Sequence, residues 1–242
     1  MTRLRIDLLI LLTRKMKVNY VEWDSIFFNK KIGLLELFND RKSFEIENDF
    51  DLIYVISDSD VDIEITNYKQ SYSENKIVFS KNIVPTSDSM DENVFIEFEN
   101  STREEIYELA FESGKFSRFK LDSNFKQTEF EKLYKKWVDN SFTKEFADAV
   151  LVYKEQNKIL GFVTYKVWDN YATIGLIGVC SNHQGKGIGR KLITYVEIGL
   201  VKKGVIELRI STQIQNHVAC EFYNRLGYDI IEKRNIKHFW KK

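Results

Sequence analysis

What this 242-residue chain has little of excludes several classes of protein. It carries no excess of charge, since 36 lysines and arginines balance 36 aspartates and glutamates. With no long basic run either, it has no electrostatic footprint for nucleic acid or for an anionic membrane surface. Only two cysteines occur, Cys180 and Cys220. Neither sits in a paired metal-ligand spacing or a disulfide-dense context, so no metal site is expected and a reducing cytoplasm is the expected compartment. No apolar run approaches the roughly 20 residues of a spanning helix. The stretch Leu8 to Leu12, between Arg5 and Arg14, is short and lacks a small-residue cleavage site, so it does not read as a signal peptide. Asp7 interrupts the apolar face that an amphipathic anchor would need. Residues 1–15 are therefore expected to be an extension ahead of a start at Met16.

What is present is the composition of a globular protein, with 43% hydrophobic and 14% aromatic residues. Residues 16–114 read as an N-terminal α/β region and residues 115–242 as a second domain. The first holds short strand-like runs at Leu34 to Phe38, Asp51 to Ser57, Val61 to Thr66, Lys76 to Phe79 and Val94 to Glu99, with a short helix at Trp23 to Lys30. Asp60 to Ile65 alternates polar and apolar residues. Asn67 to Asn75 and Pro85 to Glu92 are polar and read as surface loops. Ser101 with Glu104 has capping-box spacing before a helix to about Gly114, and Thr128 with Glu131 repeats the signal. The stripe Phe130, Leu133, Tyr134 and Trp137 then faces a core.

Further on, Ala149 to Tyr153, Ile159 to Trp168 and Tyr171 to Val179 form a predicted antiparallel meander, turned at residues 155–158 and at Asp169-Asn170. A glycine-rich turn leads into a helix from about Gly187 to Lys203, with Ile188, Leu192, Val196 and Leu200 on one face and Gly204 as its stop. A strand at Val205 to Ser211, a helix at Asn216 to Leu226 and a last strand from Tyr228 follow. The whole reads as an α/β sheet covered by helices.

The informative segment is Gln184-Gly185-Lys186-Gly187-Ile188-Gly189, placed between a strand and a helix whose first amides have no internal partner. Such an end attracts phosphate, and glycine lets the backbone approach it. Lys186 and Arg190 add positive charge. Counted from Gly185, a P-loop would require its second glycine, followed by lysine, where Arg190 stands, and a dinucleotide fingerprint would require its third glycine there, after a strand that here belongs to an antiparallel meander. Both are excluded.

The pattern Gln-x-x-Gly-x-Gly after a valine-ended strand resembles the pyrophosphate loop of the GCN5-related N-acetyltransferase (GNAT) superfamily. The second stretch, Asn216-x-x-Ala219-x-x-Phe222-Tyr223-x-x-Leu226-Gly227-Tyr228, is similar to its C-terminal coenzyme-binding helix and strand. The resemblance implies a mostly antiparallel mixed sheet flanked by helices, acetyl-CoA as acyl donor, and direct transfer in a ternary complex. It also implies that the strand ending Gly178-Val179 supplies amide donors to the thioester carbonyl, that Tyr223 protonates the departing sulfur, and that Asn216 meets the pantetheine arm. Two plainer roles stay open: Tyr223 packing with Phe222, and Asn216 as an N-cap. Cys180 with His183 offers a ping-pong alternative. Glu97, Glu145, Asp148 and His183 are base candidates by residue type, with none assigned.

For the acceptor, Trp23-Asp24-Ser25-x-Phe27-Phe28 with Ile32-Gly33, Ser117-Arg118-Phe119-x-x-Asp122, and Leu133-Tyr134-x-x-Trp137-x-x-Asn140-Ser141 resemble the TDP-fucosamine acetyltransferase family. This implies N-acetylation of a dTDP-linked 4-amino-4,6-dideoxyhexose for bacterial surface polysaccharide synthesis; a protein N-terminus or another small amine is the alternative acceptor, a noncatalytic acyl-CoA sensor the alternative role, and the GNAT resemblance allows a sheet-mediated homodimer. Arg118 then pairs with a nucleotide phosphate, or else is a surface ion-pair partner. Trp23, Phe27 and Phe28 stack on the ligand or pack in the core.

Overall fold

The computed structural model describes residues 15–37, 43–97 and 103–242. Leu8 to Leu12, Phe38, Glu99 and the Ser101 half of the expected capping box lie outside them. Two compact units result. One comprises the chain up to Lys76, Asp122–Asn124 and Lys233–Lys242, and the other comprises Ile77–Leu121 and Phe125–Glu232.

The first unit runs through β1 (Lys15–Met16), β2 (Asn19–Tyr20), α1 (Glu22–Phe28), β3 (Ile32–Leu37), β4 (Ser43–Ile46), β5 (Leu52–Ser57), β6 (Glu64–Ile65) and the start of β7 (Tyr68–Asn82). β2 pairs antiparallel with β3, β3 runs parallel to β5, and β1, β4 and β6 make a small parallel sheet. Ser25 fixes α1 to β3: its buried hydroxyl donates to the Ile32 carbonyl at 3.3 Å and accepts the Ile32 N–H at 3.0 Å. Asn29, at φ 50, ends the helix in the left-handed region that asparagine tolerates.

The second unit continues with β8 (Val94–Ile96), α2 (Arg103–Ser113), α3 (Arg118–Leu121), α4 (Gln127–Phe142), β9 (Ala149–Glu155), β10 (Lys158–Val167), β11 (Tyr171–Val179), α5 (Ile188–Lys202), β12 (Glu207–Gln213) and α6 (His217–Arg225). The last strand, β13 (Asp229–Lys241), brings the chain back to the first unit, where Asn235–Trp240 pair antiparallel with β5. In the second unit β8, β9, β10 and β11 are successive antiparallel neighbours, and β11 pairs parallel with β12. The expected α/β class with a mostly antiparallel sheet flanked by helices is what forms. One core lies between this sheet and α5, whose Ile188, Leu192, Val196 and Leu200 are buried as their spacing requires.

Three local expectations are overturned. Of the expected loop Asn67 to Asn75, all but the turn residue Asn67 is strand. Its polar groups meet polar partners, with Asn235 Nδ2 donating at 3.3 Å to the Ser73 hydroxyl, the Glu74 carbonyl and Asn75 Oδ1, and Tyr72 Oη donating to Glu74 Oε2 at 3.1 Å. Asp60 to Ile65 yields only the two-residue β6. The fourth helix is capped two residues earlier than expected, by Lys126 and not Thr128. The Lys126 N–H donates to Glu129 Oε2 at 2.8 Å, a carboxylate closing the first turn.

The first unit also contains a buried polar hub. Asp122, 1% exposed, accepts from Ser71 Oγ at 3.0 Å on each oxygen, from the Asn124 N–H at 3.1 Å and Nδ2 at 3.0 Å, and from Trp240 Nε1 at 2.8 Å. His238 Nδ1 lies 2.7 Å from the same carboxylate. Burial opposes ionisation of Asp122, but the hydrogen bonds from His238, Trp240 and the Asn124 amide outweigh it and hold the carboxyl far below its ordinary range.

Candidate acyl-coenzyme site

β11 is where the site is made. Val163 pairs with Ile177 but Tyr165 pairs with Ile174, so Gly175 and Leu176 together oppose Thr164 alone. This is a β-bulge. It exchanges the faces of the strand. Ala172 and Ile174 point into the α5 side core before it, whereas Ile177 and Val179 pack against that core after it. Gly178 then faces α2, so closely that a Cβ there would lie 2.5 Å from the Leu109 carbonyl oxygen.

The backbone is re-aimed in the same way. Bonded and non-bonded pairs alternate along an antiparallel ladder. Because the Cys180 N–H reaches the Leu160 carbonyl at 2.8 Å, Gly178 bonds toward β10, and the amides of Ile177 and Val179 point to the β12 side. There they meet no strand: the parallel pairing with β12 ends at Ile174 opposite Ile210, although the two strands continue to Val179 and Gln213. The Val179 carbonyl is taken by Gln184 Nε2 at 3.1 Å, leaving its N–H as the donor at the strand's end.

After a turn of 3₁₀ helix at Ser181–His183, the glycine loop reaches α5. Gly185 at φ 76 and Gly187 at φ 84 occupy the left-handed region, and no atom lies within 4 Å of where their Cβ atoms would be. Their conformation, not crowding, requires glycine. Gly187 caps α5 without any side-chain cap bond, so the Ile188, Gly189 and Arg190 amides form an open helix N-terminus with its positive dipole end. Ile188 itself is buried, so only its amide can serve a ligand. Gly189 allows α6 to approach, since a Cβ would stand 3.1 Å from the Phe222 ring. Lys186 and Arg190 are exposed beside the loop. Lys191 is committed elsewhere, to Tyr153 Oη and Asp91, each at 3.1 Å.

α6 carries the remaining expected residues. Asn216 is its N-cap, with Oδ1 accepting from the Ala219 N–H and Nδ2 donating to Thr212 Oγ1, both at 3.3 Å. Tyr223 is 3% exposed, its ring set against Phe79 at 5.4 Å, Phe222 at 5.2 Å and Tyr228 at 6.2 Å. Burial, and then the neighbouring Cys220, push its phenol far above the ordinary value.

A model of the acetyltransferase (GNAT) family matches residues 104–228, just over half of the chain. The chain belongs to that family. Streptothricin acetyltransferase of Escherichia coli is 30% identical over 63 residues, which are 26% of this chain and 36% of that protein. Spermidine N(1)-acetyltransferase of Thermoplasma acidophilum is 24% identical over 139 residues, 52% of this chain and 82% of that protein. A GNAT acetyltransferase structure from Novosphingobium aromaticivorans superposes with a TM-score of 0.55 at 14% identity, covering 81% of this chain and 77% of that one. This GNAT protein is thus an N-acyltransferase by family, with acetyl-CoA as donor.

Within the GNAT fold the other sequence candidates fare differently. Cys180 follows β11, and its carbonyl accepts the His183 N–H at 2.8 Å; among the described residues no hydrogen bond joins the thiol to the imidazole. Glu97 is buried and paired with Lys154 at 2.6 Å, Asp148 accepts the Val167 N–H at 2.6 Å, and Glu145 is exposed. His183 Nδ1 is buried without a hydrogen-bond partner among the described residues. Arg118 is half-buried in α3, its guanidinium 4.8 Å from the Phe119 ring centroid. No cluster of metal-ligating side chains occurs, and no helix is long and apolar enough to cross a membrane, among the described residues. The feature that the sequence reading passed over is the bulge, for which Gly175 inside a strand was the available signal.

Gly187→Val tests the loop without disturbing the core. A β-branched residue is strained at φ 84, and its methyl groups would stand where an anion approaches the helix end. The dissociation constant for CoA is expected to rise at least ~10-fold by calorimetry, in a variant that still unfolds cooperatively but at a melting temperature lowered by the backbone strain. Unchanged affinity in the folded variant would remove Gly187 from the site.

Proposed function

We propose that the protein transfers the acetyl group of acetyl-CoA directly to the amino group of a dTDP-linked 4-amino-4,6-dideoxyhexose. The observation that carries the acyl-transfer half is the Val179 amide, aimed away from β10 where β11 and β12 part, five residues ahead of the glycine loop. In this reading the pyrophosphate lies on the amides of Gly185 to Arg190 with Lys186 and Arg190 beside it, and the pantetheine arm runs between the parted strands past Gln184 and Asn216. The Val179 N–H stabilises the oxyanion formed when the amine attacks the thioester, and the Tyr223 hydroxyl donates to the sulfur as the C–S bond breaks.

The sugar-nucleotide half rests on sequence resemblance, with Arg118 as the proposed phosphate partner. Ser25, Phe28 and Asp122 of the resembling motifs are buried and hold the first unit together, so the likeness supports a shared architecture around the acceptor more than direct contacts. The relatives support a second acceptor class: one is named for streptothricin and another for spermidine, so a free small amine is the competing substrate.

Release of free CoA from acetyl-CoA, measured with the dTDP-amino sugar in its galacto and gluco forms, with spermidine, and with no acceptor, separates these readings. Saturable stimulation by one sugar, with the acetylated product seen by mass, is expected. Stimulation by spermidine alone would replace the sugar and leave the acyl transfer.

A further inference from the structure

We propose that Thr164 is a positioning residue for acyl transfer: its side chain pins the β11 bulge and thereby sets the direction of the Val179 amide. The inference rests on the acyl-CoA reading of β11 given above. A bulge leaves one backbone donor without its regular ladder partner. Here the extra donor is the Leu176 N–H, and it bonds to Thr164 Oγ1 at 2.9 Å. Thr164 is the single β10 residue opposite the two bulged positions, and it is only 1% exposed. Its hydroxyl therefore supplies the acceptor that regular pairing would have taken from the β10 backbone. Gly175 completes the fit, since a Cβ there would stand 2.8 Å from the same Oγ1. The hydroxyl and the missing side chain occupy one space.

The consequence follows from the period of a strand. A slip of one residue turns every later side chain to the opposite face and every later amide to the opposite edge. Without the bulge, Val179 would point its side chain at the Leu109 carbonyl of α2 and its N–H toward β10, while Gly178 would turn its amide to the β12 side. Packing of Val179 against the core and of Gly178 against α2 opposes that slip, but neither contact satisfies the Leu176 N–H. Thr164 does, and it stands between the last pre-bulge and first post-bulge pairs.

Thr164→Val keeps the shape and removes the acceptor, while Thr164→Ser keeps it. The Val variant is expected to lose ~10-fold or more in kcat with an acetylatable amine, while its dissociation constant for CoA, held mainly by the loop at Gly185 to Arg190, changes less than ~3-fold; the Ser variant should return to within ~3-fold of the parent. A folded Val variant with parental kcat overturns the proposal, as does equal loss in the Ser and Val variants. Should the Val variant not fold, amide hydrogen exchange on the unaltered protein decides. Slow exchange at Leu176 beside fast exchange at Val179 is expected, and fast exchange at both overturns the pin. A parent protein that releases no CoA with any amine, yet protects Leu176, would instead refute the acyl-transfer reading.

Discussion

Replacing Tyr223 with phenylalanine is expected to lower kcat by ~100-fold while the KM for acetyl-CoA stays within ~3-fold. The ring contacts with Phe79, Phe222 and Tyr228 do not involve the hydroxyl, so the variant keeps the packing of α6 on the sheet. What it loses is a donor. With its pKa pushed up by burial, the phenol is protonated throughout the neutral range and well into alkali. The same shift makes it a weaker acid than a thiol of pKa about 8.5, so complete transfer to a free thiolate is uphill. In the proposed reaction the hydroxyl therefore acts by hydrogen-bonding to the sulfur while negative charge builds on it, and the proton the thiolate finally takes is balanced by the one the attacking amine loses. The alkaline limb of the parent profile should then come from another group, because Tyr223 would lose its proton only above the ordinary tyrosine range. Steady-state kinetics on the purified variant, with its melting curve as a control, checks both halves. Parental kcat would return Tyr223 to the role of a core aromatic.

The parts of this site that a reader of the sequence can see are the ones fixed by neighbours in the chain. The glycines of the loop, the apolar face of α5, the stop at Gly204 and the turn at Gln156-Asn157 each follow from a few adjacent residues, and the structure has positive φ at Gln156, Asn157, Gly185, Gly187 and Gly204. The orientation of the Val179 amide has no such local source. It depends on how many residues of β11 stand opposite Thr164, which is a property of two strands. Gly175 hinted at it, because a strand-interior glycine commonly marks a bulge, but the acceptor across the ladder had no signal of its own.

The first unit was harder for a related reason. It is assembled from three separated pieces of chain, and its polar contacts span long sequence distances: Ser71 and Asp122 are 51 residues apart, and Asp122 and His238 are 116 apart. Polarity in Asn67 to Asn75 argued for a loop because exposed strands and loops share composition, and only the partner groups on β13 distinguish them. Asp122 stood out by resemblance, yet its work as a buried hydrogen-bond acceptor could not be deduced from residues 117–122 alone.

That work gives the largest expected effect on stability. Asp122→Asn should destabilise the protein by about 3–5 kcal/mol, the range for removing one partner from a buried charged or hydrogen-bonded set. The asparagine amide has one acceptor oxygen and one donor nitrogen. Whichever way it turns, its NH2 faces donors: Trp240 Nε1 on the Oδ2 side, or the Asn124 N–H and Nδ2 on the other. The pH dependence supplies the sign. Because the folded carboxyl is held below its unfolded value of about 3.9, the unfolded chain binds more protons between the two, and stability rises with pH there. The contribution is complete above that unfolded value and is lost as pH falls through the folded one. Urea unfolding of parent and variant at pH 7, and then from pH 5 downward, should show the two curves converging as acid removes from the parent what the substitution has already removed from the variant. A constant gap across that range would mean that the cost is one of packing and not of the carboxylate's charge.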